Sequence, residues 1–386
     1  AKKIYQMLIK NNIEAELYVK KKNFQDSKKF ILKIYKNKLH ELSFDVFNYL
    51  TNRLINNRIC SQDYRSLSWF NSPYVESINN SRFDIIQLNW INNFLSISDI
   101  GKIKKPLVWR FSDMWPILGA KHYVNKKMDF NLGFFNYLEK KNIYKKQKYW
   151  KNKINIIAPS KWLKNQIQAS NLMHDWPISV IYTPINTDIF SPLDRSKIRS
   201  EYKISNHRVL IFGADNLLDK RKGLDMLLDV FKKKLINQKN EYTLFIFGKG
   251  KIKEKKINNF NIINFGYLKN KIEINKLFNA ADVMILPSFI DNLPQIGLEA
   301  QTSGLPIITF RNSGLEELIM ENETGLFTKK EDPISLSYEI SNFFNNTEDV
   351  SKFRINSRDR SLSQWSEEVV FKKYENLYQK ILNKNC

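Results

Sequence analysis

The chain has 386 residues, 42% of them hydrophobic and 13% aromatic, with eight Trp, a composition that excludes intrinsic disorder. No apolar run approaches the roughly 18 residues of a membrane-spanning helix, and Cys60 and Cys386 are too few for a disulfide framework or a zinc site. Four His without metal-ligand spacing, and no DxD, argue against a bound catalytic metal, so none is expected. The length predicts two domains of roughly 150–200 residues each. With no signal peptide at the start, a cytoplasmic location is expected.

Lys and Arg number 62 against 39 Asp and Glu, a formal net charge of +23. Such a charge suits nucleic acid or an anionic membrane surface. It equally suits an AT-rich coding sequence, since Lys, Asn and Ile are abundant together. No nucleic-acid motif is present and the basic residues do not form one stripe, so no nucleic-acid partner is expected.

The pattern opens with an amphipathic helix over 1–11. Strands are predicted at 16–19, 84–88, 107–111, 154–158 and 178–182. A second set follows at 209–213, 244–248, 262–265, 283–287 and 306–309. Most are short runs of Ile, Val, Leu and Phe with little polar alternation, as in parallel strands buried on both faces. Amphipathic stretches at 223–234, 271–279 and 295–303 lie between them. This alternation predicts an α/β protein with doubly wound parallel sheets. Around 183–192 the pattern lapses into Pro, Asn, Asp and Ser, a linker composition. The expected division is a first domain over 1–182, a second over 183–364, and a C-terminal helix over 365–386. That helix either finishes the second domain or returns to the first.

The stretch 283–310 carries the most chemistry. A buried strand ends at Pro287-Ser288, a loop holds Asp291 and Asn292, and a helix follows with Pro294 in its first turn. Asp291 or Asn292 is placed to cap that helix. The free N–H groups of Gln295 and Ile296 would then suit a phosphate or a sugar hydroxyl. Glu299, eight residues after Asp291, can look back to the same pocket. An isolated pair of this kind is ordinarily an N-cap and a solvated helix residue.

The wider context changes that reading. Asp291, Glu299, Gly304 and Pro306 resemble the C-terminal signature of the GT-B glycosyltransferases of family 4. Residues 157–163 (IAPSKWL) resemble that family's APSxWL turn, and 184–190 (PINTDIF) resemble its hinge. Phe212-Gly213 with Lys220-Arg221-Lys222-Gly223 resembles the first strand and phosphate-clamp turn of the donor domain. Phe247-Gly248-Lys249-Gly250 and Phe265-Gly266-Tyr267-Leu268 match the next two strand ends. Residues 107–123 (LVWRFSDMWPILGAKHY) resemble the HDMW…HY segment of the colanic-acid and exopolysaccharide branch.

The resemblance implies GT-B architecture, with two Rossmann-like domains facing one cleft. It implies a retaining, metal-independent transfer of a sugar from a nucleotide-diphosphate donor to a surface glycan or lipid-linked acceptor. Asp291 would bind hydroxyls of the donor sugar, and Glu299 the ribose. Lys222, with Arg221, would neutralise the diphosphate. Asn292, Leu293, Gln295, Ile296, Gly213 and Gly248 would line the donor site, with Tyr267 and Leu268 beside the base. The family's His residues are replaced by Ser112 and Asn89, and its Gly-Arg by Gly213-Ala214, so a catalytically degenerate homologue that only binds nucleotide sugar or glycan is the alternative. Asp113 is the remaining polar candidate on the acceptor side, as a catalytic group or as a buried structural one. Family members begin with a strand and a Gly-rich turn before the first helix, so the chain is expected to be a fragment. The Lys-, Tyr- and Trp-rich segment 140–153, with 102–105, would lie on anionic lipid at the inner face of the plasma membrane, or be a solvated face.

Overall fold

The structure is a computed structural model that describes residues 1–19, 30–32, 38–57, 65–124, 133–236, 241–258, 260–346 and 350–383. Cys60 and Cys386 lie outside the described residues. Two compact units divide the chain: Ala1–Tyr182 with Phe371–Cys386, and Thr183–Val370.

The first unit opens with α1 (Lys2–Lys10), which buries Ile4, Tyr5, Met7 and Leu8 on one face. A two-stranded parallel sheet joins β1 (Leu17–Val19) to β2 (Phe30–Leu32). Then come α2 (Lys38–Asn57), α3 (Val75–Asn79), β3 (Ile86–Leu88), α4 (Ile97–Gly101) and β4 (Leu107–Arg110). After them lie α5 (Gly133–Tyr149), β5 (Asn155–Ala158), α6 (Lys161–Gln168) and β6 (Ile178–Val180). The sheet β3-β4-β5-β6 is parallel throughout. Its core is unusually aromatic, with Trp109 packed edge-on against Trp115 and Trp150.

The second unit starts with α7 (Arg195–Glu201) and β7 (Arg208–Asn216), followed by α8 (Leu224–Lys232), β8 (Tyr242–Lys249), β9 (Lys256–Ile257) and β10 (Phe260–Asn264). It continues through α9 (Lys271–Ala280), β11 (Val283–Leu286), α10 (Gln295–Thr302), β12 (Ile307–Phe310) and β13 (Gly325–Thr328). Helices α11 (Pro333–Asn346) and α12 (Val350–Trp365) follow, and α13 (Glu367–Leu382) is the last element among the described residues. The seven strands run in the order β13-β12-β11-β7-β8-β10-β9, parallel except for β9. The chain winds outward from β7 through β8 and β10, then restarts at β11 on the other side of β7. That reversal is the switch point where doubly wound sheets take ligands, at the C-terminal strand ends.

Strand β13 is missing from the sequence reading because Gly325-Leu326-Phe327-Thr328 is too short and too Gly-led to stand out as an apolar run. The change of unit falls at Phe371 and not at 365. Trp365 is buried in the second unit, its indole N–H donating to Thr302 Oγ1 at 3.2 Å and its carbonyl accepting from Ile185 N–H at 2.9 Å. Farther along α13, Tyr378 donates to Gln87 of β3, so the helix ends within the first unit.

Candidate functional site

The switch point of the second unit gathers most of the residues singled out above. A 3-10 turn, Lys220–Lys222, follows β7 and is capped by Asp219, whose carboxylate accepts from Arg221 N–H at 3.0 Å. Gly223 closes this turn with φ 75°, and a Cβ there would meet Pro287 O at 2.0 Å. Only glycine allows so close an approach. The turn is then stitched to the loop after β11: Phe289 N–H donates to Arg221 O at 3.0 Å, and Arg221 Nη1 to Ile290 O at 2.9 Å.

This stitching places Lys222 against Asp291, and the two form an ion pair, with Arg221 Nη1 at 3.6 Å from the same carboxylate oxygen. Burial alone would raise the Asp291 carboxyl. The Lys222 and Arg221 charges, with hydrogen bonds from Lys222 and from Asn292 N–H, outweigh it and hold the group below the usual carboxylate value. Asp291 is held from behind as well, since its N–H donates to Ser313 Oγ at 3.0 Å and its carbonyl accepts from Gly314 N–H at 2.9 Å. A Cβ on Gly314 would sit 1.1 Å from Asn292 O, so that residue too must be glycine.

Helix α10 begins at Gln295, with Pro294 as its N-cap and, among the described residues, no side-chain cap hydrogen bond. The expectation that Asp291 or Asn292 caps it, with Pro294 inside its first turn, is therefore corrected. The Asp291 carboxylate is drawn away by the two cations. An uncapped helix N-terminus presents N–H donors and a partial positive charge. Glu299 lies in the second turn of α10, only 2% exposed. Gln295 Nε2 donates to its Oε1 at 2.6 Å, and Lys271 Nζ lies 3.3 and 3.4 Å from its two oxygens. Lys271 and Ser313 escaped the sequence reading. Lys271 looks like any surface lysine until α9 brings it beside α10.

Gly213 in β7 borders the Ile296 side chain, and Asn292 and Leu293 are buried in the loop before α10. Gly248 donates its N–H to Gly266 O at 2.8 Å, placing the ends of β8 and β10 side by side. Tyr267 there is about half-exposed beneath Lys249, whose Nζ is 4.6 Å from its ring centre; Leu268 is partly buried. Among the described residues no group of His, Cys, Asp and Glu is arranged to hold a metal ion.

Asp113 belongs to the first unit. Its Oδ2 is 2.7 Å from His122 Nδ1 and its Oδ1 accepts from Trp115 N–H at 2.9 Å. His122 Nε2 is 2.8 Å from Ser66 Oγ. His122 entered the sequence reading only as part of the HY pattern, because a pairing across a nine-residue loop leaves no periodic signal.

Residues 194–360 match the family described as Glycosyl transferases group 1. The second unit is a group 1 glycosyltransferase domain. The chain is 30% identical to an uncharacterized 41.2 kDa protein in the cps region of Klebsiella pneumoniae, over 40% of this chain and 42% of that one. It is 24% identical to the capsular polysaccharide biosynthesis glycosyltransferase CapM of Staphylococcus aureus, over 60% of this chain and 62% of that one. The matches thus span about two-fifths to three-fifths of the length of these curated relatives. Among solved structures, Anabaena Alr3699/HepE in complex with UDP and glucose aligns with TM-score 0.60 at 15% identity, over 80% of this chain and 82% of that one. That likeness shows the fold, GT-B.

Proposed function

We propose that the chain is a glycosyltransferase that moves a sugar from a nucleotide-diphosphate donor to a hydroxyl of a surface glycan, with retention and without a metal. The observation that carries this reading is the Lys222–Asp291 pair beside the uncapped start of α10, at the switch point of a group 1 glycosyltransferase domain. The alignment with a UDP-bound fold and the similarity to CapM support the donor and acceptor classes.

In this mechanism the anomeric C–O bond to the diphosphate breaks as the acceptor oxygen bonds to the same carbon. The acceptor proton passes to the departing phosphate. Lys222 and Arg221 neutralise the charge that grows on that phosphate, and the first N–H groups of α10 add to it. Asp291, released from Lys222 by the incoming phosphates, accepts hydrogen bonds from the donor sugar. Glu299 accepts from the ribose hydroxyls, held in orientation by Gln295 and Lys271.

A thermal-shift screen with UDP, GDP and ADP tests the reading. A nucleotide at 100 times its Kd should stabilise the fold by about 2.7 kcal/mol. Absence of a shift with all three nucleotides counts against a donor site. Transfer that disappears with EDTA and returns with Mg²⁺ or Mn²⁺ counts against the metal-free mechanism. Nucleotide binding with no transfer to any glycan leaves a homologue that binds without catalysing, a reading favoured by Ser112 and Asn89.

A further inference from the structure

We propose that the outer face of Trp90 is a platform for a pyranose ring of the glycan acceptor, an inference that rests on the glycosyltransferase reading. The segments leaving the C-terminal ends of β3 and β4, Asn89–Trp90 and Phe111–Asp113, wall an open hollow in the first unit. Ends of this kind are where parallel α/β sheets receive ligands.

Inside the hollow the Trp90 indole stacks on the His122 imidazole, with ring centres 5.1 Å apart and planes inclined by 26°. The imidazole is fixed on both edges, by Asp113 on Nδ1 and by Ser66 on Nε2. With both nitrogens engaged by these partners, the ring is held in place. It offers a flat, immobile face, and Trp90 rests on it.

Trp90 itself is 54% exposed although its inner side is covered. An indole held flat and wet in a hollow is a surface waiting for an apolar partner. A pyranose suits it. Its C–H bonds carry the positive edge that the negative π-face prefers, and its hydroxyl rim meets polar groups. Asn89, Asn92 and Ser112 line the same hollow. A nucleobase could also stack on an indole, but the nucleotide features described above all lie in the second unit.

The test uses the full chain and four probes: the methyl glycosides of glucose, galactose, mannose and N-acetylglucosamine. Saturation-transfer NMR should show transfer to the ring C–H protons of at least one. Trp90→Ala should reduce that transfer at least fivefold, and Trp90→Phe should keep most of it. The thermal shift with the nucleotide should be the same in all three proteins. The proposal is overturned by no transfer to any glycoside in the wild type, or by transfer that survives Trp90→Ala. It is also overturned if Trp90→Ala weakens UDP-glucose binding alone, which would make the hollow a donor-sugar site. Failure of the glycosyltransferase reading looks different: no nucleotide shift in any protein, whatever the glycosides do.

Discussion

Lys222 and Asp291 are 69 residues apart in the chain, yet they form an ion pair in which each is the other's charge partner before any donor arrives. The carboxylate therefore occupies the clamp lysine where a phosphate is proposed to go.

That competition fixes the sign of a first prediction. Asp291→Asn should tighten binding of UDP alone, by about tenfold or ~1.4 kcal/mol, because Lys222 no longer has to leave a carboxylate. Transfer should fall roughly 10- to 150-fold, since a charged hydrogen-bond acceptor for the sugar is lost. Calorimetry with UDP and an initial-rate assay check the two halves; weaker UDP binding contradicts the competition. The pair should also show in acid. Its carboxyl lies below the ordinary 3.8, so the stability it contributes is present above about pH 4 and drains away as pH falls through the lower, folded value. The stability difference between wild type and Asp291→Asn should be flat above that pH and shrink below it.

Position, not charge alone, should decide which lysine matters. Lys222→Ala should lower kcat/KM by about 100-fold or more, the scale for losing one preorganised group facing developing charge. Lys249→Ala should change it less than about threefold, because Lys249 is exposed and its ammonium sits on the exposed Asp215 at 2.9 Å. Equal losses in the two variants would mean that the basic surface acts only as a diffuse field.

Glu299→Gln should weaken nucleotide binding by about 1.5–3 kcal/mol, the range for hydrogen bonds to a charged group. The pairing with Lys271 gives this prediction an internal comparison. Lys271→Met removes the cation and leaves the carboxylate, so it should cost less affinity than Glu299→Gln. Titration calorimetry of both variants decides the matter, and the reverse order would remove Glu299 from the ribose.

Much of the second unit was legible because its signals are local. Val, Ile and Phe runs mark β7, β8 and β11, and Gly223 and Asp291 sit in short motifs next to them. What stayed hidden depends on packing between distant segments. Lys146 reads in sequence as one more lysine of a basic helix. In the structure it is fully buried, its ammonium donating to Trp115 O, to Leu118 O at 2.7 Å and to Gly119 O at 2.9 Å. Glu139 and Asn142 lie on the same face of α5, at helical spacing. Glu139 accepts from Ala120 N–H at 2.8 Å, and Asn142 donates to Gly119 O at 3.3 Å. Together they hold the loop that has Asp113 at one end and His122 at the other. No periodicity separates such a lysine from its solvated neighbours.

Lys146→Met should accordingly destabilise the protein by about 3–5 kcal/mol, because the carbonyls of Trp115, Leu118 and Gly119 all lose the bond from its ammonium. Burial pushes the ammonium well below its ordinary value, with Glu139 and Asp113 opposing, yet three carbonyl acceptors match three N–H donors. Urea denaturation measures the loss, and a change under about 1 kcal/mol would mean the cage carries little energy. The signals of His122 should shift in the same variant, as the loop that carries it loosens.

The same helix corrects the expected membrane face and gives the last prediction. Lys146 and Trp150 cannot meet lipid: both are buried, and the Trp150 indole N–H donates to Ile97 O at 2.8 Å. Lys141 and Lys145 lie over the Trp69 ring, each 4.7 Å from its centre. The exposed stripe of α5 is instead Tyr137, Lys140, Tyr144 and Lys148, spaced three and four residues apart, with exposed Lys151 just beyond the helix. No helix among the described residues is long and apolar enough to cross a membrane. We propose that this stripe rests on anionic lipid, where each lysine contributes about 1 kcal/mol and the tyrosines sit at headgroup level. Cosedimentation with vesicles containing phosphatidylserine should fall steeply as salt shortens the Debye length below about 8 Å. Replacing Lys140, Lys148 and Lys151 by Gln should weaken it roughly 100-fold, from ~3 kcal/mol in all, while nucleotide binding by the second unit stays unchanged. If neutral and anionic vesicles bring down equal amounts of protein, the stripe is a solvated face and the +23 charge reflects composition alone.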